Sequence, residues 1–313
     1  MGRGIYIIRR LLLVIPTAIG VTLVTFVMIH LIPGNPAVTM LGIRATPHNV
    51  ALLEHQWGLD KPLWEQYWLF LTRVVRGNFG ESLFYSSPAT GIILNASAVT
   101  VWLIVYASVI SVAVAVPLAV LAALRRDRLA DHVVRAIPLV GMGMPSAWVA
   151  IMLILGLGIR LHVFPVGGLS PGLFGHISSL FLPSLTLALG IAPVLIRSLR
   201  SSLIDAIDAD YVTTARSKGI REYRVLVRHA IRNAIVSSMN ILGLQIAWLI
   251  SGTLVVETIF ALPGVGALMV NSIYRRDFPV VQGITFLLAI AVILVNLGTD
   301  IAHSFLDPRV RFE

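Results

Sequence analysis

Six apolar runs divide this sequence, at roughly residues 11–31, 99–123, 134–161, 180–199, 236–258 and 281–304. Each is about 20 residues or longer, the length at which a helix crosses the hydrocarbon core of a bilayer. Backbone groups placed in lipid must be satisfied within the segment, and a helix does this. The predicted fold is therefore an all-α polytopic membrane protein of six transmembrane helices. Composition agrees: charged residues make up 12% of the 313-residue chain, against about 25% in soluble domains. Pro16, Pro117, Pro138, Pro145 and Pro193 lie within the runs, where bundle neighbours can re-satisfy freed carbonyls, so kinks are expected. The first run follows Arg3, Arg9 and Arg10 and looks like a signal peptide. It is longer than the usual h-region of about 7–15 residues and no small-x-small site follows, so it reads as a retained span.

Basic residues set the orientation. With the N-terminus inside, 17 of the 24 Lys and Arg fall on cytoplasmic segments and 7 on outer ones. Cytoplasmic loops of membrane proteins carry this excess, so both termini and the loop before the fifth run are placed in the cytoplasm. The same rule accounts for the net charge of +9 without nucleic acid. The expected organisation is a tail and first span (1–31), an extracytoplasmic segment (32–98), a five-helix core (99–304) that includes a cytoplasmic loop at 200–235, and a cytoplasmic C-terminal tail (305–313). In the outer segment Leu52, Leu53 and Trp57, then Leu63, Trp64, Tyr67, Trp68 and Leu71, recur at helical spacing, which predicts two or three short amphipathic helices.

Enzymatic motifs are missing. A phosphate-binding loop needs Gly-Lys-Ser/Thr, but the two lysines, Lys61 and Lys218, follow Asp60 and Ser217. There is no His-Glu-x-x-His and no Gly-x-Ser-x-Gly. The chain has no cysteine, and its eight histidines are scattered, whereas metal sites need clustered ligands. No metal site or cofactor is expected in this chain.

The positive signal is the polar stretch Asp210-Tyr-Val-Thr-Thr-Ala-Arg-Ser-Lys-Gly219 between the fourth and fifth runs, followed by Arg221, Arg224, Arg228 and Arg232. Asp205, Asp208 and Asp210 precede a short helical run and suit a helix N-terminus. Gly219 suits the position just past its end. A second basic helix, about 221–235, leads into the fifth span. Such a segment is either a docking element for something outside the membrane or a solvated loop that only obeys the charge rule.

These residues carry a resemblance. A helix–glycine loop before the penultimate span resembles the coupling loop of permease subunits of binding-protein-dependent ABC importers, whose pattern is Glu-Ala-Ala-x3-Gly. Here Thr213-Thr214-Ala215-x3-Gly219 occupies those positions, with the Glu and first Ala replaced. The fuller form, with Asp210-Tyr211, Thr214-Ala215-Arg216, Lys218-Gly219 and Arg232-Asn233-Ala234, is similar to the dipeptide, oligopeptide, nickel and glutathione branch. Further matches are Arg9-Arg10-Leu11, Leu31-Ile-Pro-Gly-Asn-Pro36, Trp57-Gly-Leu-Asp-Lys-Pro62, Gly77-Asn-Phe-Gly-Glu-Ser82, Gly243-Leu-Gln245, Glu257-Thr-Ile-Phe260, Pro263-Gly-Val-Gly266, Arg276-Asp-Phe-Pro-Val-Val-Gln282 and Asp307-Pro-Arg309. Departures are Asn35, where the branch usually has Asp, and Ser237, where it often has Pro.

The resemblance implies a type I ABC importer permease bundle that works with a second, similar permease subunit, two ATP-binding subunits and an extracytoplasmic substrate-binding protein. ATP and Mg would sit on the partner subunits. Asp210, Tyr211, Thr213, Thr214, Ala215, Arg216, Lys218 and Gly219 would form the loop seated on an ATPase, with Ala215 small so that the helix seats deeply. Small peptides are the implied cargo, with nickel or metal chelates and glutathione as alternatives within the branch. An ion-coupled secondary transporter is the alternative from another class, but it calls for paired repeats and broken midplane helices, and no repeat is visible. A membrane scaffold or receptor is a third reading. Within the spans, Asn240, Gln245 and Glu257 are candidates for the translocation path. Gln245 equally suits a helix–helix bond, and Glu257, at the outer end of its span, could simply be hydrated. Asn296 and Asp300, four residues apart near the cytoplasmic end of the last span, suit a structural role. Pro263 and Gly264 are turn residues in a loop that is either a gate or an ordinary turn.

Overall fold

The computed structural model describes residues 3–31, 35–82 and 84–306. The tail motif Asp307-Pro-Arg309, Arg311 and the Pro33-Gly34 pair lie outside them. In chain order the helices are α1 (Arg3–His30), α2 (Pro36–Leu41), α3 (Pro47–Trp57), α4 (Leu63–Val75), α5 (Ala89–Leu124), α6 (Leu129–Met142), α7 (Ser146–Leu153), α8 (Leu173–Ile207), α9 (Asp210–Ser217), α10 (Glu222–Val225), α11 (Arg232–Ile259), α12 (Val265–Tyr274) and α13 (Phe278–Leu306). Strands β1 (Glu81–Ser82) and β2 (Ser87–Pro88) pair antiparallel. Segments Ile154–Arg160 and Leu226–Ile231 are π-helical. Among the described residues α5, α8, Ser238–Ile259 of α11 and Phe278–His303 of α13 are long and apolar enough to cross a bilayer, and Leu12–Met28, Ser146–Arg160 and Val265–Tyr274 are shorter apolar helices.

Two expectations change. The run 134–161 is not one helix: α6 ends at Met142, and Pro145 stands extended (φ −58°, ψ 134°) before α7. Pro145 therefore breaks the run, since the residue before a proline is pushed out of the α region. Pro16, Pro117 and Pro193 do sit inside helices, as does Pro183. The second span begins earlier than its apolar run, because Asn95, Ser97 and Thr100 lower hydropathy without stopping a helix. At 36 residues, α5 is about 54 Å long and exceeds the bilayer core of about 30 Å.

The chain forms two compact units. One comprises Val101–Leu262 with the chain ends (Met1–Tyr6 and Leu294–Glu313), the other Ile7–Thr100 with Pro263–Ile293. In the first, α8 is the central element: 72% of its apolar window is buried, against 28% for α5. It packs on α6, α7 and α11. Ala115, Ala119 and Ala122 of α5 join Leu195, Leu199 and Leu203 of α8 and Ala234 of α11 in one core, where small residues let the backbones approach closely. Gly243 is another such point: a Cβ there would collide with the Thr299 side chain of α13. Arg200 of α8 donates from Nε and Nη2 to the two carboxylate oxygens of Asp131, at 2.5 and 2.6 Å.

In the second unit the predicted amphipathic helices are α2, α3 and α4. Tyr67 of α4 meets the Thr22 hydroxyl at 2.9 Å and Phe26 edge-on, and Gln66 bonds His30, so α4 lies along α1. Gln282 of α13 donates to the Thr25 carbonyl of α1. Ala89, Ile93, Val265, Val280 and Ile284 form a local core. Asp277 caps α13 by accepting from the Val280 amide, and it receives the Ser82 hydroxyl. Residues 32–98 thus share a compact unit with most of α1 and the first half of α13.

Candidate coupling loop and translocation segments

The loop between α8 and α11 is a folded hairpin of helices. Asp210 occupies the first turn of α9, where a carboxylate favours the positive end of the helix dipole. The other two acids expected there belong elsewhere: Asp205 lies in the last turns of α8 and Asp208 at its C-cap, where Arg126 Nη1 donates to it at 2.9 Å. The helix closes with a Schellman arrangement. The Gly219 amide donates to the Arg216 carbonyl and the Ile220 amide to the Ala215 carbonyl, with Gly219 at φ +73°. The apolar contact that accompanies this motif is present, since Ile220 packs on Val212, Ala215 and Val225.

Ala215 has a packing role within the loop. Its side chain is 6% exposed and faces Val225 of α10. A small side chain suits the close packing of the two helices of the loop at this point. Arg216 is exposed but paired within the loop: its guanidinium holds Glu222 with Nη2–Oε1 at 2.7 Å and Nε–Oε2 at 3.1 Å. This keeps the Glu222 carboxyl below, and the Arg216 guanidinium above, their ordinary ranges. The exposed side chains on α9 and its cap are Asp210, Tyr211, Thr213, Thr214, Arg216, Ser217 and Lys218. Beyond it, α10, the π segment and α11 follow one another without a break from Glu222 to Ile259.

Of the path candidates on α11, Asn240 is exposed, Gln245 half-buried and Glu257 fully buried. The hydrated reading of Glu257 is therefore replaced by one in which the carboxyl sits inside the protein. The chain leaves α11 by a turn in which the Leu262 amide donates to the Glu257 carbonyl, with Phe260 fully buried and Ala261 at φ +49°. Sequence reasoning missed the element that braces this turn. The Gly168 amide donates to the Phe260 carbonyl at 2.8 Å, and a Cβ on Gly167 would lie 2.9 Å from the same oxygen. The Gly167-Gly168 pair was the available signal. Pro263 is exposed, and Gly264 caps α12, whose first amide, Val265, donates to the Thr100 hydroxyl. On α13, Asn296 is exposed and Asp300 half-buried.

Comparison with known proteins gives the context for this geometry. Residues 115–312 match the family model described as "Binding-protein-dependent transport system inner membrane component", and residues 4–115 match that of its N-terminal region. The chain is 35% identical to the dipeptide transport system permease protein DppB of Escherichia coli K12, over 98% of each. It is 34% identical to the glutathione transport system permease protein GsiC of Salmonella choleraesuis, over 98% of this chain and 99% of that one. Among solved structures, a chain of the MetNI methionine ABC transporter in an inward-facing conformation superposes with a TM-score of 0.55 at 15% identity. The match covers 69% of this chain and 96% of that one, and it identifies the fold as that of type I importer permeases.

Proposed function

This chain belongs to the family of binding-protein-dependent transport system inner membrane components, and from that premise we propose that it is the permease subunit of an importer that moves small peptides into the cytoplasm. ATP hydrolysis, with its Mg, takes place on two separate subunits. A second, similar permease completes the translocation path, and an extracytoplasmic binding protein delivers the cargo. The near-full-length similarity to a dipeptide permease carries this reading. Glutathione, itself a small peptide, falls within the same cargo class.

In this reading six membrane crossings are made by α1, α5, the broken α6–α7 segment, α8, α11 and α13, with both termini and the α9 loop in the cytoplasm. Residues 32–88 lie outside. The outward face of α9, with Tyr211, Thr214 and Lys218, seats on an ATPase subunit. Closure of the ATPase pair then displaces α9, and the rod of α10 and α11 transmits the displacement to the segment that carries Gln245 and Glu257. This is a two-state element biased by nucleotide.

The test is purification of the chain with its co-expressed neighbours. Two ATP-binding subunits should copurify, and dipeptide with the binding protein should stimulate ATP turnover that the isolated chain lacks. Turnover by the isolated chain, or peptide uptake driven by an ion gradient without ATP, would overturn the assignment.

A further inference from the structure

A cavity of about 420 Å³ opens beside the turn between α12 and α13, lined by Arg44, Arg275 and Arg276 together with Phe84 and Tyr274. None of the three guanidinium groups meets a carboxylate among the described residues. The one acid in the wall, Asp277, is 4% exposed and turned inward onto Ser82 and the Val280 amide. Arg275 is held in place by stacking on the Phe84 ring, 3.5 Å from its centroid. Arg276 is positioned by an unusual backbone, at φ +55°. The cavity therefore brings together three guanidinium groups that form no ion pair among the described residues.

Its height in the molecule decides what fills it. In the six-crossing topology proposed above α1 and α13 run antiparallel, and the bond from Gln282 to the Thr25 carbonyl sets their register. At 1.5 Å per residue, Arg276 and Asp277 then stand level with His30, the last residue of α1. The arginines thus lie where two apolar helices leave the hydrocarbon, the depth of lipid phosphates. Around them Ile43, at 105% relative exposure, and Tyr274, at 84%, are uncovered. An apolar side chain and an amphipathic ring beside basic groups suit the boundary between acyl chains and headgroups. Guanidinium pairs with phosphate oxygens in two-point fashion.

We propose that this cavity binds the phosphodiester headgroup of an anionic phospholipid, which Arg44, Arg275 and Arg276 hold while Ile43 and Tyr274 border its glycerol and upper acyl region. The inference needs α1 and α13 to be in the membrane and is independent of which cargo the protein moves.

The assembled complex is reconstituted in nanodiscs of phosphatidylcholine with 20% phosphatidylglycerol on the order of a membrane's anionic content, extracted, and examined by native mass spectrometry. Retained phosphatidylglycerol is expected on the wild type, with at least a five-fold loss on Arg44→Gln/Arg275→Gln/Arg276→Asn. Asn tolerates the left-handed backbone at position 276. Arg76→Ala, exposed outside the cavity, should retain lipid as the wild type does. If the triple variant fails to assemble, Arg44→Gln/Arg275→Gln alone should still lower retention while Arg44→Lys/Arg275→Lys keeps part of it. Equal retention by wild type and variant, or retention of phosphatidylcholine as strong as phosphatidylglycerol, overturns the proposal. Displacement of the lipid by free glycerol phosphate would make the site one for soluble phosphate. Displacement by the extracytoplasmic binding protein would assign the arginines to that partner, and either result overturns the lipid.

Discussion

Arg200 grips Asp131 through both ends of its guanidinium, Nε to Oδ1 at 2.5 Å and Nη2 to Oδ2 at 2.6 Å, and so ties the first turn of α6 to the central helix α8. The Asp131 side chain is fully buried, Arg200 is 18% exposed, and Arg135 stands 3.7 Å away on the same helix. A buried carboxylate in this setting is tolerated only because it is paired.

Asp131→Asn should therefore destabilise the protein by on the order of 3 kcal/mol or more, because it strands a guanidinium in a largely dry site. A thermal melt of the detergent-solubilised complex would report this as a lowered midpoint. Arg200→Lys, which keeps the charge but loses the fork, should fall between wild type and Asp131→Asn. Equal melting of wild type and Asp131→Asn would show that the pair contributes nothing.

The same pair sets a dependence on acidity. Donation from Arg200 holds the Asp131 carboxyl down to about 2, from an ordinary 3.8. Because the folded value is the lower one, the stabilisation is fully present above the ordinary value and is lost as pH falls from about 4 toward 2. The wild-type midpoint should drop across that window more steeply than that of Asp131→Asn. Parallel slopes would contradict the assignment.

The α9 loop distinguishes packing from docking. Ala215→Trp should overpack the cluster of Val212, Ile220 and Val225 by about 1–3 kcal/mol and open the loop to limited proteolysis. Thr214→Trp, on the outward face, should leave the proteolysis pattern unchanged while it lowers peptide-stimulated ATP turnover. If the two variants behave alike in proteolysis, the inward position of Ala215 is wrong.

Gly219→Val should strain the left-handed turn by roughly 1–2 kcal/mol and disturb the two amide bonds that close α9. Gly219→Asn should do so less, since Asn tolerates that backbone. Hydrogen exchange at the amides of residues 219 and 220 measures the difference directly.

At Gly243 the close approach of α11 and α13 leaves no room for a methyl group. Gly243→Ala should lower the melting midpoint, with overpacking of about 1–3 kcal/mol. Thr299→Ala removes the two nearest atoms, Oγ1 and Cγ2, and should recover part of the loss in the double variant. Additive losses would place the two helices farther apart.

Much of this molecule can be read from one dimension, because in a bilayer the demand that backbone groups be satisfied is local to each segment. The runs that became α8, α11 and α13, the amphipathic helices α3 and α4, and the stop at Gly219 follow from residues within a few positions of one another. The pattern Asp210-Tyr211 to Gly219 identified the α9 loop for the same reason, since a helix, its cap and its closing glycine are written consecutively. What the chain order does not carry is which side chains meet across distance. Pro145 could kink or break a run, and the packing of α7 on α8 and α11 accompanies the break. Ala215 reads as a contact for a partner, and only the folding of α10 back on α9 shows that its methyl group also packs on Val225. Glu257 looked hydrated by its place at a span end, and the fold encloses it. The Asp131–Arg200 fork joins residues 69 positions apart, and the arginine cavity draws on residues near 44, 84 and 276. Such contacts depend on helix–helix register, which tertiary packing sets and local propensity does not.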